Sequence, residues 1–383
     1  MPLGGGIRLR TLESALVTRR AVDRLIFGVL PALIFCFLLG VAAFDSDGWA
    51  FDFRQFWQGG NDVTNGVSPY STAATLETAG DDLDPEEIQE VFRFPYPAAA
   101  ALAFAPFGAL DFDIAAAVWG ALLIVSLFVA VWMLGVRDWR VLGVVIASAP
   151  VIGAVGIGTL TPVLLLLAAV TWRWRDTFWV AGGAVAVAIS LKLFLWPLVV
   201  WLAATRRWSA ALGAAALAIA MTFVAWGAIG WAGLSDYPEL VRRLADVVQD
   251  RGYSLVALGM EAGLSEGIAD TLPWLVGLPL LAGVVMVARR DADDRTAFSL
   301  AMVAAITLTP IVWLHYFVLL IVPLALARPR LSLAWGLMWI FWLFPAQENG
   351  GDLWPIVVAL ALTTTVLLVA AATPKPFPAR GES

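Results

Sequence analysis

The chain has one cysteine (Cys36), one histidine (His315) and two lysines (Lys192 and Lys375). A single cysteine excludes an intramolecular disulfide and any Cys-x-x-Cys redox or metal motif. A single histidine excludes a multi-histidine zinc or iron site. Neither lysine follows a glycine, so there is no Gly-Lys-Ser/Thr phosphate loop and no ATP-driven pump within one chain. Charge is also scarce. Only 14% of the 383 residues are Asp, Glu, Lys or Arg, against about 25% in soluble domains. The formal net charge of −6 argues against a nucleic-acid partner, which requires a basic footprint.

What fills the chain instead is apolar: 61% of its residues. That much apolar surface with so few charges to cover it argues against a soluble enzyme. A spanning helix takes about 20 consecutive apolar residues. The segment 25–44 is such a run, preceded by Arg8, Arg10, Arg19, Arg20 and Arg24. It is too long for a signal-peptide core and lacks a clear small-x-small cleavage site, so it reads as a retained first span. Further apolar runs lie at 114–134, 141–157, 159–174, 178–190, 192–205, 208–230, 272–288, 296–309, 311–327, 331–345 and 353–372. The chain therefore reads as one all-α polytopic membrane domain over 1–383, with about 12 transmembrane helices.

Cytoplasmic loops carry the excess of Lys and Arg. With both termini cytoplasmic, 18 of the 24 basic residues fall inside and six outside, whereas 22 of the 30 acidic residues fall outside. This register requires that 98–110, with 13 residues and Pro106, re-enters or lies buried near the outer face instead of crossing. It leaves two long extracytoplasmic loops, 45–97 and 231–271, and only short inner ones. Function is expected at the outer face of a plasma-membrane protein. The last residues, from Thr373 on, read as a tail.

In the first outer loop, Trp49, Phe53, Phe56 and Trp57 form one helical face, and Asp52, Gln55 and Gln58 form another. The spacing predicts a helix along the membrane surface with its rings among the headgroups. Asp52 is then either simply solvated or a carboxylate held at the edge of a cavity; spacing leaves both open. Turn chemistry follows at Asn65-Gly66 and Ser68-Pro69-Tyr70. The acidic run Asp81-Asp82-Leu83-Asp84-Pro85-Glu86-Glu87 reads as a solvated helix start in preference to a metal site. Together with Asp45 and Asp47 it leaves a divalent ion open without indicating one. The loop closes on Arg93-Phe94-Pro95-Tyr96-Pro97.

The second loop predicts another surface helix from Asp236-Tyr237-Pro238-Glu239, with Leu240, Leu244, Val247 and Val248 inward and Arg242, Arg243 and Arg251 outward. Charged residues within apolar spans are costly and mark function. Lys192, at the outer junction of two spans, suits a phosphate or carboxylate, or else snorkels to the interface. His315, near the outer end of a span, is either a ligand or a hydrogen-bonded core residue. Gly153-x-x-Gly156-x-Gly158 follows no strand and reads as close helix packing, not a phosphate cradle.

Several short motifs occur in a fixed order. Asp52-Phe53-x-x-Phe56 lies just after the first span. Then come Gly66-x-Ser68-Pro69-Tyr70, Phe94-x-Tyr96-Pro97 and Gly158-Thr159-Leu160-Thr161. Lys192 with Pro197, Arg206-Arg207-Trp208, and Thr309-Pro310 leading into Trp313-Leu314-His315-Tyr316 complete the set. Each is weak alone. Together, from about residue 45 to 330, they resemble glycosyltransferase family 87.

The resemblance implies a GT-C architecture and a sugar donor on a polyprenyl phosphate, mannose above all. The acceptor would be a hydroxyl of a lipid-linked or envelope glycan, reached at the outer face with inversion at the anomeric carbon. It implies Asp52 as general base. Lys192 and His315, with Arg54 or Arg93, become the groups that would meet the leaving phosphate, and Tyr70 and Tyr96 belong to the substrate-binding motifs. Membrane lipids are the other expected partners; no cofactor is expected. Family members often carry a Gln-Asn pair where this chain has Thr159 and Thr161, which bears on donor or acceptor preference. A lipid or sugar-lipid transporter without chemistry, an assembly subunit, and a transferase of another polyprenyl-phosphate sugar such as arabinofuranose are the competing readings.

Overall fold

The computed structural model describes residues 18–44, 49–70, 85–248, 250–290, 293–344 and 352–372. The described residues contain helices and no strands. Asp45, Asp47, the acidic residues at 81, 82 and 84, and the C-terminal tail lie outside them.

The first helix, α1 (Thr18–Ala43), is followed by α2 (Phe51–Thr64), α3 (Pro85–Val91) and α4 (Ala98–Gly108). Next come α5 (Phe112–Met133), α6 (Trp139–Ile146), α7 (Ala149–Gly156), α8 (Thr161–Arg173) and α9 (Phe178–Leu191). The remainder are α10 (Leu193–Ala204), α11 (Trp208–Ala228), α12 (Tyr237–Val248), α13 (Leu255–Glu261), α14 (Glu266–Arg290), α15 (Asp294–Thr307), α16 (Leu314–Ala327), α17 (Leu333–Leu343) and α18 (Leu353–Ala371). Each apolar run anticipated from sequence contains helix among the described residues. Five helices, α1, α5, α11, α14 and α18, are long and apolar enough to cross a membrane, and the bent pair α6–α7 makes up to six. The others in the apolar bundle are shorter, broken at Pro150, Pro162, Pro197 and the extended residue Lys192.

Local chemistry sets the ends. Asp111, Asp138, Asp293 and Ser254 each accept a backbone N–H of the following first turn, at 3.0 to 3.2 Å. Such caps satisfy donors that the helix leaves unpaired. At 11 residues α4 is about 16 Å long, half of a bilayer core.

One expectation is corrected. The aromatic face of α2 does not lie among headgroups: Phe53 and Phe56 are fully buried inside the protein. Phe53 stacks on Trp119 and meets Phe104, Phe107 and Phe112, and Phe56 packs on Tyr96 and Phe104. The physical reason is Gly60 and Gly108. A Cβ on Gly60 would sit 2.2 Å from the Phe104 carbonyl oxygen, and one on Gly108 would sit 2.1 Å from the Asn61 nitrogen. Backbone meets backbone there, so α4 covers the face that periodicity alone would equally have assigned to lipid. Helix α12 is likewise seated on the protein through buried Leu240, Val247 and Val248.

Candidate active site

Asp52 lies in the first turn of α2, and its position is built from backbone. The N–H of Ala50 donates to Gly156 O at 2.9 Å, and those of Asp52 and Phe53 donate to Ile157 O at 2.9 and 3.2 Å. The turn after α7 thus satisfies donors that a capping side chain would otherwise take. The Asp52 carboxylate is left free, with no hydrogen-bond donor among the described residues. Burial pushes its pKa up to about 6, and nearby Lys192 partly opposes that rise. A carboxyl tuned toward neutrality in this way suits a general base.

Lys192 reaches the same place from another direction. It is the extended residue (φ −155°) that interrupts the run between α9 and α10. Its ammonium lies 4.4 Å from the centre of the Tyr316 ring, 5.5 Å from Tyr96 and 6.0 Å from Phe194. The ring faces attract the cation without neutralising it. Asp52 is within electrostatic reach but not within the 4.0 Å of a direct ion pair. The ammonium has no hydrogen-bond partner among the described residues.

His315 opens α16, its ring 4.9 Å from that of Tyr316, and it too is within electrostatic reach of Lys192. It is only 5% exposed, yet its Nε2 has no hydrogen-bond partner among the described residues. A buried polar atom left unpaired costs about 1–3 kcal/mol. The free Nε2 and the unpaired ammonium together mark a place for an anionic or hydroxylated ligand. Tyr96 completes the wall: burial, then Asp52, then Tyr316 hold its phenol well above its ordinary pKa, so it remains a neutral hydroxyl.

Asp52, Tyr96, Lys192 and His315, spread over more than 260 positions of sequence, therefore converge. Tyr70 stands one layer back. Its ring stacks on Trp226 at 4.9 Å, and its hydroxyl donates to Tyr96 O at 3.1 Å. Arg54 and Arg93 are placed elsewhere. Arg54 is exposed, two positions past Asp52 and so on the far side of the helix, over the Phe112 ring at 4.7 Å. Arg93 pairs with Asp62 at 3.0 Å, ten residues and about 15 Å along α2 from Asp52. Arg242 of the second loop pairs with Glu239 and Asp246. Tyr316 and Phe194 were not singled out from sequence; their adjacency to His315 and Lys192 is the signal that could have found them. No group of three or more potential metal ligands occurs among the described residues.

The glycosyltransferase family 87 model matches residues 94–323. The chain belongs to that family. The matched range contains Tyr96, Lys192 and His315, and Asp52 lies before it. The chain is also 28% identical, over 277 residues, to a polyprenol-phosphate-mannose-dependent alpha-(1-2)-phosphatidylinositol pentamannoside mannosyltransferase of Mycolicibacterium smegmatis. That similarity covers 63% of this chain and 65% of the relative. No solved structure matches. The chain is thus a family 87 member with five helices, or six counting the bent pair, long and apolar enough to cross a membrane.

Proposed function

We propose that the protein transfers a sugar, mannose by analogy with its relative, from a polyprenyl phosphate to a hydroxyl of a lipid-linked or envelope glycan. The transfer inverts the anomeric carbon and takes place at the outer face of the plasma membrane, with both termini cytoplasmic. The shorter apolar helices join the five long ones and the bent pair in a GT-C bundle of about 12 spans. In the reaction the acceptor oxygen attacks the anomeric carbon while the bond from that carbon to the phosphate oxygen breaks. The acceptor proton passes to Asp52, and polyprenyl phosphate leaves.

The observation that carries this reading is the convergence of a free, basic carboxylate with an unpaired ammonium and an unpaired imidazole nitrogen. Inverting displacement needs a base on one side of the reacting carbon and charge stabilisation on the other. Lys192 and His315 supply the second, and Tyr96 offers a neutral hydroxyl to the sugar. The test is turnover of polyprenyl-phosphate-mannose with a lipid extract in proteoliposomes. Asp52→Asn should lower kcat by about 10²–10⁴-fold with expression intact, the range that positioned proton transfer contributes. Normal turnover in Asp52→Asn would remove Asp52 as the base. Binding of the donor without consumption would favour the transporter.

A further inference from the structure

The carboxylate of Asp52 is placed by backbone contacts that are themselves held by a side chain far away in sequence. The carbonyl of Ile157 receives the N–H groups of both Asp52 and Phe53, and the carbonyl of Gly156 receives that of Ala50. Ala50 is a non-glycine residue at φ 55°, a left-handed conformation that persists only where surroundings enforce it. The next residue of the turn, Gly158, has φ +76°, and a Cβ there would come within 2.6 Å of the Cβ of Phe53. The turn and the start of α2 are therefore in direct contact and cannot shift independently.

What anchors the turn is Trp119, in the middle of α5. Its indole N–H donates to Gly158 O at 2.8 Å, a buried bond across 39 residues of sequence. Its ring stacks on Phe53, with centroids 5.9 Å apart and planes 16° from parallel. One side chain thus grips both partners of the contact, the turn by a hydrogen bond and the Asp52 helix by its ring. Just beyond, Thr159 Oγ1 donates to Thr161 Oγ1 at 3.2 Å and closes the turn onto α8.

We propose that Trp119 is a positioning residue for the transfer reaction, fixing the 156–158 turn and with it the backbone of Asp52. The proposal rests on Asp52 acting as base. A displacement of about 1 Å at a reacting group can cost on the order of 100-fold in rate.

The test is Trp119→Phe in the full-length protein in proteoliposomes, with polyprenyl-phosphate-mannose as donor. That variant keeps a ring against Phe53 and removes the hydrogen bond. We expect kcat to fall about tenfold or more with donor KM within twofold, and the acid limb of the kcat–pH profile to move. Amide hydrogen exchange over residues 50–53 should accelerate while the thermal midpoint stays within a few degrees of wild type. Trp119→His, which keeps a ring N–H, should recover part of kcat. Gly158→Ala should give the same signature from the other side of the contact. Should Trp119→Phe not fold, Phe53→Leu carries the test by removing the stack and leaving the Gly158 bond. Wild-type kcat and exchange in folded variants would overturn the proposal. So would a loss that only tracks the amount of folded protein with the pH limb unmoved. If Asp52→Asn itself turns over normally, the base assignment fails instead; exchange at 50–53 still reports whether Trp119 holds that backbone.

Discussion

The two ends of helix α9, about 20 Å apart over its 14 residues, treat charge in opposite ways. At the start, Arg207 pairs with both Asp176 and Asp294 at 2.7 Å, and Arg175 also reaches Asp294 at 3.3 Å. Arg140 likewise donates to the Asp138 carboxylate, which also accepts the backbone N–H groups of Arg140 and Leu331. The Arg207 and Arg175 pairs tie together the α8–α9 loop, the α10–α11 loop and the start of α15. At the other end of α9, Lys192 has no carboxylate within ion-pair distance, only three aromatic rings. Hydrogen bonds there tie polar segments together instead: Ser68 to Ala232, Tyr237 to Pro95 and Tyr253 to Val312. Paired charges fasten the first end together. An unpaired cation beside an unpaired carboxylate and imidazole is costly to maintain, and it persists where a ligand is to complete it.

The largest effect expected from that contrast is at Lys192. Lys192→Met should reduce kcat/KM by about 10²–10³-fold, the usual consequence of removing one preorganised charge partner of a transition state. The thermal midpoint should hardly change, because no ion pair is broken; a stability loss without a rate loss would make Lys192 structural. Next is the pH dependence set by Asp52. Its pKa of about 6 means that the base is active above that value, so kcat should rise through pH 6. Because Lys192 lowers that pKa, the midpoint in Lys192→Met should move to higher pH. The sign for stability is the reverse. Folding binds a proton more tightly at a raised carboxyl, so stability falls as pH rises from 3.8 toward 6. Asp52→Asn should therefore have a higher thermal midpoint than wild type at pH 7.5 and little advantage at pH 4.

The paired end should behave oppositely. Arg207→Ala should destabilise by about 1–2 kcal/mol, since the guanidinium is mostly covered and leaves two carboxylates without it. Its kcat/KM should stay within about twofold; a large loss in folded protein would show that the two ends communicate. The smallest effect belongs to Arg93→Ala. It breaks an ion pair whose arginine side chain is 50% exposed, for which about 0–1 kcal/mol is expected, with little change in rate. A tenfold loss would bring Arg93 back among the groups that touch substrate.

Lys192 was legible because a charge within an apolar run is costly wherever it falls, and helix breaks were legible from Pro and Gly. Asp52 could be placed on a helix but not in a site, because an amphipathic face looks the same whether lipid or protein covers it. Gly60 decided that outcome, and its effect depends on α4 arriving with Gly108 opposite. The Trp119–Gly158 bond was not legible at all, because nothing in either segment specifies a partner 39 residues away.

Composition and periodicity, which follow from solvent transfer and local backbone geometry, therefore determined that this chain is a helical membrane protein with two long polar segments. Which of its scarce charged groups stand together was decided only by packing. Lys192 and His315 stand within electrostatic reach of one another, and Lys192 of Asp52, because the breaks before α10 and α16 bring both side chains toward the start of α2. Arg54 and Arg93, nearer to Asp52 in sequence, are carried away from it by the rotation and rise of the helix.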